Sequence, residues 1–237
     1  MAADVTNGGI AGVAAGVSQA AHVIGWPLRV IDGEASVTGR AAAMREALAL
    51  RPSGIILGGF DATEQLAAVR EAGAQGIPVV GWHAAAFPGP DRANGLFTNV
   101  STDPLAVARL AALFAIADSD GHAGVVIFYD SGFAIAREKA QAMAALIERC
   151  RQCRLLAMVN TPIAEAPVEV PALLSRLFQR FGTRLSYMLA INGNYFAGTR
   201  AALSDIGRTG SEPPYAIAAG DGDASEFERI RNGDYQR

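Results

Sequence analysis

The sequence has 237 residues, of which 51% are apolar and 18% charged, and its formal net charge is −3. This length supports a sizeable core in one domain, or in two domains of about 100–130 residues each. The acidic balance argues against nucleic acid as a partner. No apolar run approaches the ~20 residues that span a bilayer, which argues against direct membrane insertion.

Helical and strand patterns alternate along the chain. Strands that are apolar at every position are buried on both faces, as parallel strands between helices are. The predicted strands are 28–31, 54–57, 77–82, 96–100, 124–129, 155–159, 185–191 and 215–219. The predicted helices are 13–24, 37–48, 63–72, 104–117, 135–149, 168–181, 196–206 and 224–231. This succession predicts an α/β fold built from doubly wound parallel sheets.

A segment rich in proline and glycine, residues 84–95, interrupts this alternation. The pattern resumes after the extended segment 96–100, so the chain consists of two similar α/β parts. We therefore predict an N-terminal lobe at residues 1–99 and a C-terminal lobe at residues 100–237.

Polar and aromatic residues follow most of the predicted strands. In open parallel sheets, ligands bind beyond the carboxyl ends of the strands. The residues delivered there are Phe60, Asp61, Trp82, His83, Asp130, Phe133, Arg137, Asn160, Thr161, Asn192, Asn194, Tyr195, Asp221 and Asp223. Rings can stack on the C–H face of a sugar, while amides, carboxylates and a guanidinium bond its hydroxyls. This set predicts a small polyhydroxylated ligand.

Five segments resemble the ribose-binding-type sugar-binding members of the periplasmic binding protein superfamily, in matching order over nearly the whole chain. Ala136-Arg137-Glu138 is similar to their AARERGEGF segment, residues 192–198 to their NDxxAxG segment, and residues 219–222 to their GFDG turn. Residues 77–80 resemble the strand that leads into the cleft between lobes, and residues 100–103 resemble the first crossover between lobes. The resemblance implies the type I fold, with a ligand cleft between two Rossmann-like lobes.

The resemblance also implies site residues. Arg137, Asn192 and Asp221 match ligand contacts of the family, Asp103 matches a crossover residue near the pocket, and Asn7 matches the asparagine of the first loop. The full set of predicted ligand-binding residues is Asn7, Phe60, Asp61, Trp82, His83, Asp103, Phe133, Arg137, Asn192, Asn194 and Asp221.

The sequence departs from the family where specificity is set. Gly8-Gly9 stand in place of stacking aromatics, His83-Ala84 in place of an Asp-Arg pair, and Gly59 in place of an asparagine. Trp82, Phe60 and Phe133 are the alternative stacking surfaces. The resemblance further implies a first strand before Asn7, for which only residues 1–5 remain, and a second crossover beyond residue 237.

Structural roles are the alternatives for the same residues. Asp61 and one of the two asparagines could cap helices, and Asp221 could shape a turn. Trp82 could belong to the core, and His83 could be a structural histidine. Arg137 could form a surface salt bridge with Asp130 or Glu138, although a cation at a helix start opposes the helix dipole.

Cys150 and Cys153 form a single CxxC motif, which supplies only two zinc ligands. The motif follows a predicted helix and precedes a strand, which is unlike a redox motif. The alternatives are two free thiols or a small local disulfide, and export would favour the disulfide.

Catalytic motifs are missing from the sequence: it contains no GxSxG, HExxH or Walker lysine. We therefore predict no catalytic residues, metal or cofactor. The resemblance implies a periplasmic solute-binding protein that captures a sugar or polyol-like ligand for an ABC importer in the membrane. The alternatives are the effector-binding domain of a lactose-repressor-type regulator, which shares this architecture, and an α/β enzyme.

Overall fold

A computed structural model describes residues 1–220 and 222–237. The chain divides into two compact units, Met1–Asp103 (unit 1) and Pro104–Arg237 (unit 2). Each unit is built on its own sheet of mainly parallel strands, so the predicted fold class is confirmed. The boundary predicted between residues 99 and 100 lies inside the last strand of unit 1.

Unit 1 has a mixed sheet with the strand order β1–β2–β4–β3. Its helices are α1 (Gly8–Val23), α2 (Val37–Ala49) and α3 (Leu66–Ala74), and its strands are β1 (Ile55–Gly58), β2 (Val79–Trp82), β3 (Gly89–Asp91) and β4 (Leu96–Val100). β1, β2 and β4 are parallel, whereas β3 runs antiparallel to β4. β3 lies in the proline- and glycine-rich segment, where no strand was predicted. Pro90 is tolerated there because β3 is an edge strand.

The first three residues pair on both sides as a short central strand of unit 1. Ala2 N donates to Ile31 O at 2.9 Å, and Gly33 N donates to Ala2 O at 2.8 Å. On the other side, Ala3 N donates to Gly58 O at 2.8 Å. Met1–Ala3 therefore fills the position between residues 31–33 and β1, and satisfies backbone groups on both neighbours.

The prediction of a strand at residues 28–31 was wrong. Within residues 1–220 and 222–237, the only strand pairing of this segment is an isolated bridge between Ala2 and Asp32. Met1–Ala3 bonds Ile31 and Gly33. Leu28 and Val30 are 42% and 45% exposed, although their apolar side chains suit a buried strand.

Unit 2 has a fully parallel sheet with the strand order β6–β5–β7–β8. Its strands are β5 (Gly124–Tyr129), β6 (Arg154–Asn160), β7 (Tyr187–Ala190) and β8 (Tyr215–Ala218). Its helices are α4 (Pro104–Asp118), α5 (Ala134–Arg149), α6 (Ala166–Phe181), α7 (Thr199–Asp205) and α8 (Ala224–Arg231). The last residues of the chain run beside β8, where Arg237 N donates to Ala216 O at 2.9 Å.

The apolar runs that predicted the strands of unit 2 form its core. Val125–Phe128 and Tyr187–Ala190 are buried on both faces of the sheet. Each large apolar side chain buried in this way contributes about 1.5–3 kcal/mol. The single helix predicted at 196–206 is instead a 3₁₀ turn at Gly193–Phe196 followed by α7, since Gly198 adopts φ +81° between them.

An ion pair between a buried arginine and a half-buried glutamate links two elements of unit 1. Arg40 is 2% exposed, and its Nε and Nη2 donate to the two carboxylate oxygens of Glu64 at 2.6 and 2.8 Å. The same guanidinium lies 5.8 Å from the ring centre of Phe60. The fork geometry of arginine suits this two-point contact, and it links α2 to the turn that follows β1.

Cys150 and Cys153 are joined by a disulfide bond, the second of the two alternatives. Over residues 1–220 and 222–237, no helix is both long and apolar enough to cross a membrane. Within the same residues, no group of three or more His, Cys, Asp or Glu side chains could hold a metal ion.

Candidate ligand-binding site

In unit 1, the residues that follow β1 have structural partners. Phe60 is 2% exposed and belongs to the core, so its ring is not at the surface where a ligand would stack. Asp61 caps the 3₁₀ turn Ala62–Gln65, because its Oδ1 accepts from Thr63 N at 2.8 Å. Asp61 thus makes the contacts of a helix cap, the structural role given above as its alternative.

Trp82 and His83 stand together at the end of β2. Both are half-buried, and their rings meet edge to face with centres 4.7 Å apart. His83 adopts φ +50°, a left-handed conformation that is uncommon outside glycine and often occurs at functional positions. Its Nδ1 lies 3.1 Å from Ser101 Oγ. The Ser101 hydroxyl also lies 2.7 Å from Thr102 O, to which it donates.

A buried asparagine that was not predicted holds the loop after His83. Asn99 is 2% exposed, and its Oδ1 accepts from Ala84 N at 2.9 Å. Its Nδ2 donates to Ala85 O and Phe87 O at 3.1 and 2.9 Å. An amide inside the otherwise apolar strand LFTNV was the sequence signal for this role.

The two remaining predicted residues of unit 1 lie at helix starts. Asn7 is buried and caps α1, with Oδ1 accepting from Gly9 N and Ile10 N at 3.0 and 3.2 Å. Asp103 is exposed and directly precedes α4.

A groove of about 750 Å³ in unit 1 lies at the opposite end of the sheet. Its lining comes from the C-terminal ends of α2 and α3 and from residues that precede β1 and β2, including Arg45, Arg51 and Glu71. Because parallel-sheet ligands bind at the carboxyl ends of strands, we do not assign the predicted ligand to this groove.

In unit 2, Asp130 ties together the loops that follow β5 and β6. It is 8% exposed, and its two carboxylate oxygens accept from Gly132 N at 2.7 Å and Ile163 N at 3.0 Å. Asn160 Oδ1 adds a bond from Ser131 N at 2.8 Å. These bonds hold the two loops together at the edge of the sheet where α5 begins.

Phe133 and Arg137 lie at that start of α5. Phe133 is half-buried against the core of unit 2. Arg137 is exposed, and its Nη1 donates to Ser131 O. This bond holds the guanidinium beside the loop that follows β5. Among the described residues, Arg137 forms neither of the alternative salt bridges, with Asp130 or with Glu138.

The loop after β7 carries two half-buried amides. Asn192 Oδ1 accepts from Asn194 N at 3.2 Å and caps the 3₁₀ turn, which is the capping alternative. Among the residues described, the side-chain nitrogens of Asn192 and Asn194 donate to no other group. Tyr195 is buried and its hydroxyl donates to Thr161 O at 2.8 Å, so it fixes the loop from beneath. Burial, and then the charge of Asp130, raise the pKa of Tyr195.

Two carboxyl groups whose pKa values shift in opposite directions follow β8. Asp223 caps α8, and burial works against its ionisation, but hydrogen bonds from Ser225 and from Glu226 N lower its pKa overall. Glu226 is 6% exposed, and burial, followed by the charge of Asp223, raises its pKa. Gln236 Nε2 donates to Glu226 Oε1 at 3.1 Å. Asp221, the predicted ligand contact on this loop, lies outside the described residues.

The loops after β7 and β8 lie against each other. A Cβ atom placed on Gly220 would stand 3.0 Å from Asn192 Cα. Lys139 on α5 lies beneath both loops, with Nζ donating to Ile191 O at 3.3 Å and to Ala219 O at 2.6 Å. The structure thus brings Asn192, Asn194 and the start of α8 to one edge of the unit 2 sheet.

Comparison with solved structures shows the same fold in sugar-binding proteins. The periplasmic binding protein of an arabinose ABC transporter from Shewanella sp. ANA-3, bound to L-arabinofuranose, is 17% identical with a TM-score of 0.82, over 98% of this chain and 76% of that one. A galactofuranose binding protein is 17% identical with a TM-score of 0.78, over 92% and 73%. A solute binding protein from Actinobacillus succinogenes 130z with bound D-allose is 17% identical with a TM-score of 0.78, over 98% and 80%.

No curated protein matches the sequence. The profile of the periplasmic binding protein domain family, in contrast, matches residues 1–237. Together with the parallel-sheet units and the shared fold, this match shows that the chain belongs to the periplasmic binding protein domain family, in the type I superfamily that the sequence resembles.

Proposed function

We propose that this protein captures a small sugar or polyol-like ligand in the periplasm and presents it to an ABC importer. Family membership and the shared fold of sugar-binding proteins support this role. The observation that carries it is the unpaired side-chain nitrogens of Asn192 and Asn194, among the described residues, at the carboxyl end of a parallel sheet. Amide donors at that edge suit the hydroxyl groups of a sugar.

Each unit has side chains near the carboxyl end of its own sheet that suit a sugar. Unit 2 offers Asn192, Asn194 and the exposed guanidinium of Arg137, which can bond two adjacent hydroxyls. Unit 1 offers the half-buried pair Trp82 and His83, whose rings can stack on a sugar face. Phe60 is no longer a candidate for stacking, because its ring is buried.

The experiment is isothermal titration calorimetry of the full chain with L-arabinose, D-allose, D-galactose and xylitol, using L-leucine as a non-sugar ligand. We expect at least one sugar or polyol to bind and to raise the melting temperature, since a ligand that binds only the folded state stabilises it. Absence of binding by all four compounds at millimolar concentration would contradict the proposal.

Matched variants locate the site. Asn192→Leu removes the amide, and Arg137→Met removes the guanidinium; each should weaken binding about tenfold, the value of one or two lost hydrogen bonds. Arg149→Met is the control for Arg137→Met, because both arginines are exposed and lie at opposite ends of α5. Equal affinities of the two arginine variants would place the ligand away from the start of α5.

A tryptophan variant tests unit 1. The chain has two tryptophans, Trp26 and Trp82, and Trp26 is 69% exposed. In Trp26→Phe, the remaining tryptophan fluorescence, excited at wavelengths that tyrosine does not absorb, comes from Trp82 alone. We expect the sugar that binds to shift the emission wavelength of Trp82, and the Kd from this titration to equal the Kd from calorimetry. An unchanged emission spectrum would show that Trp82 does not contact the sugar.

A further inference from the structure

Lys139 is the sole lysine of the chain, and it is buried at 8% exposure on α5. Its ammonium donates to Ile191 O and Ala219 O, the carbonyl groups of the residues directly after β7 and β8. Buried carbonyl groups at the end of a strand need hydrogen-bond partners. One cation therefore bonds the ends of two adjacent strands.

The bonded carbonyls lead directly into the loops of the proposed sugar site. Asn192 follows Ile191, and Gly220 follows Ala219 and packs on the backbone of Asn192. A shift of either strand end would therefore be transmitted to both loops. The distance between the two loops depends on the group that joins them.

A buried ammonium is an expensive way to fill space. Its removal from water costs several kcal/mol unless hydrogen bonds replace the lost hydration. A methionine would fill a similar volume without that cost. The charge is useful here because an ammonium, unlike an apolar group, can bond two carbonyl oxygens at once.

We propose that Lys139 is a positioning residue for the sugar site, a role that rests on the proposed function. It fixes the separation of the loops that carry Asn192, Asn194 and Asp223, without touching the sugar itself. The affinity of the site thus depends on the charge of a side chain that lies beneath the binding surface.

The test uses Lys139→Cys. Cys150 and Cys153 are joined in a disulfide, so the new thiol is the only free one. Alkylation under non-reducing denaturant with 2-bromoethylamine restores an ammonium on a chain of nearly the same length, whereas iodoacetamide adds a neutral amide. Refolding gives two proteins that differ in this charge, and Lys139→Met provides a second neutral form.

Two properties are measured: hydrogen exchange at amides 192–196 and 222–225, and affinity for the sugar that the wild type binds best. In the neutral forms we expect exchange at these amides at least tenfold faster and binding at least tenfold weaker. The aminoethylated form should return both to within about twofold of the wild type.

Tyr187→Phe is the control for a general loss of stability. Tyr187 lies at the other end of β7, where its hydroxyl donates to Asp118 Oδ2 at 2.7 Å. The proposal is overturned if hydrogen exchange at amides 192–196 and 222–225 is as slow in the neutral forms as in the wild type. It is also overturned if exchange in the neutral forms is accelerated equally throughout unit 2, the result expected for Tyr187→Phe. A wild type that binds no sugar would instead refute the proposed function, while exchange would still decide whether Lys139 fixes the loops.

Discussion

The carboxyl group of Glu226 occupies the space in which a side chain at position 193 would have to lie. A Cβ atom built on Gly193 overlaps the Cδ and both oxygens of that carboxyl group. Gly193 is buried and opens the turn that follows Asn192, so α8 packs through Glu226 against the loop after β7. Close approach, rather than an unusual backbone angle, is the reason for this glycine.

Gly193→Ala should therefore destabilise unit 2. We expect a loss of about 1–3 kcal/mol in the free energy of unfolding, as for other overpacked sites, measured by urea denaturation. Gly73→Ala is the control, because a Cβ there meets nothing within 4 Å. Adding Glu226→Ala to Gly193→Ala should recover part of the loss; strictly additive effects would show that the two residues do not compete for space.

The buried carboxyl of Glu226 should make stability depend on pH. Burial and the neighbouring charge of Asp223 raise its pKa in the folded protein, with Arg229 acting in the opposite sense. The folded state then binds more protons than the unfolded state between the unfolded and folded pKa values, so stability falls as pH rises through that window. Glu226→Gln keeps an acceptor for Gln236 without this ionisation.

Thermal denaturation from pH 4 to pH 8 tests this effect. We expect the melting temperature of Glu226→Gln, relative to that of the wild type, to be higher at pH 8 than at pH 4. The pKa of Asp223 is lowered, so its contribution has the opposite sign and is present in both proteins. A constant difference between the two proteins across this range would contradict the raised pKa.

Asn99 should be the main polar support of the loop that carries His83 in unit 1. Asn99→Leu leaves the buried Ala84 N and the carbonyls of Ala85 and Phe87 without their partner, and a buried donor left unsatisfied is costly. We expect a loss of about 2–3 kcal/mol on chemical denaturation. Asn94→Ala, at a half-buried amide bonded to Asp91, should cost about 1 kcal/mol or less. Equal losses would show that Asn99 has no special role.

The disulfide should stabilise unit 2 modestly, because it closes a short loop. Cys150 and Cys153 are three residues apart, and the loop entropy removed from the unfolded chain corresponds to about 2 kcal/mol. Dithiothreitol should lower the melting temperature by about 4–8 °C. The double variant Cys150→Ser/Cys153→Ser should melt at the temperature of the reduced protein and should not respond to dithiothreitol.

Much of the fold could be predicted because it depends on local pattern. Residues 124–129 are continuously apolar and form β5, as a strand buried on both faces must. Residues 28–31 are mainly apolar but include Arg29, and they form no strand; Ala2 and Asp32 form an isolated bridge beside them. A short apolar run alone therefore does not show whether a segment will be buried in a sheet.

The site was less predictable. Asp61 and Asn192 were identified together with their capping alternatives, because both roles use the same short polar side chain. Lys139 and Glu226 were not identified, since nothing in their local sequence distinguishes a buried charge from a solvated one on a helix. Their environment is set by residues from 10 to 80 positions away along the chain.

The burial of the only lysine also determines how the protein reacts with reagents that modify amines. All other cationic side chains, apart from histidine, are arginines. Reagents that acylate lysine will therefore find no exposed lysine side chain on these 237 residues when they are folded. Acylation of Lys139 should require unit 2 to open, so the rate of that single modification measures how often this part of the protein exposes its interior.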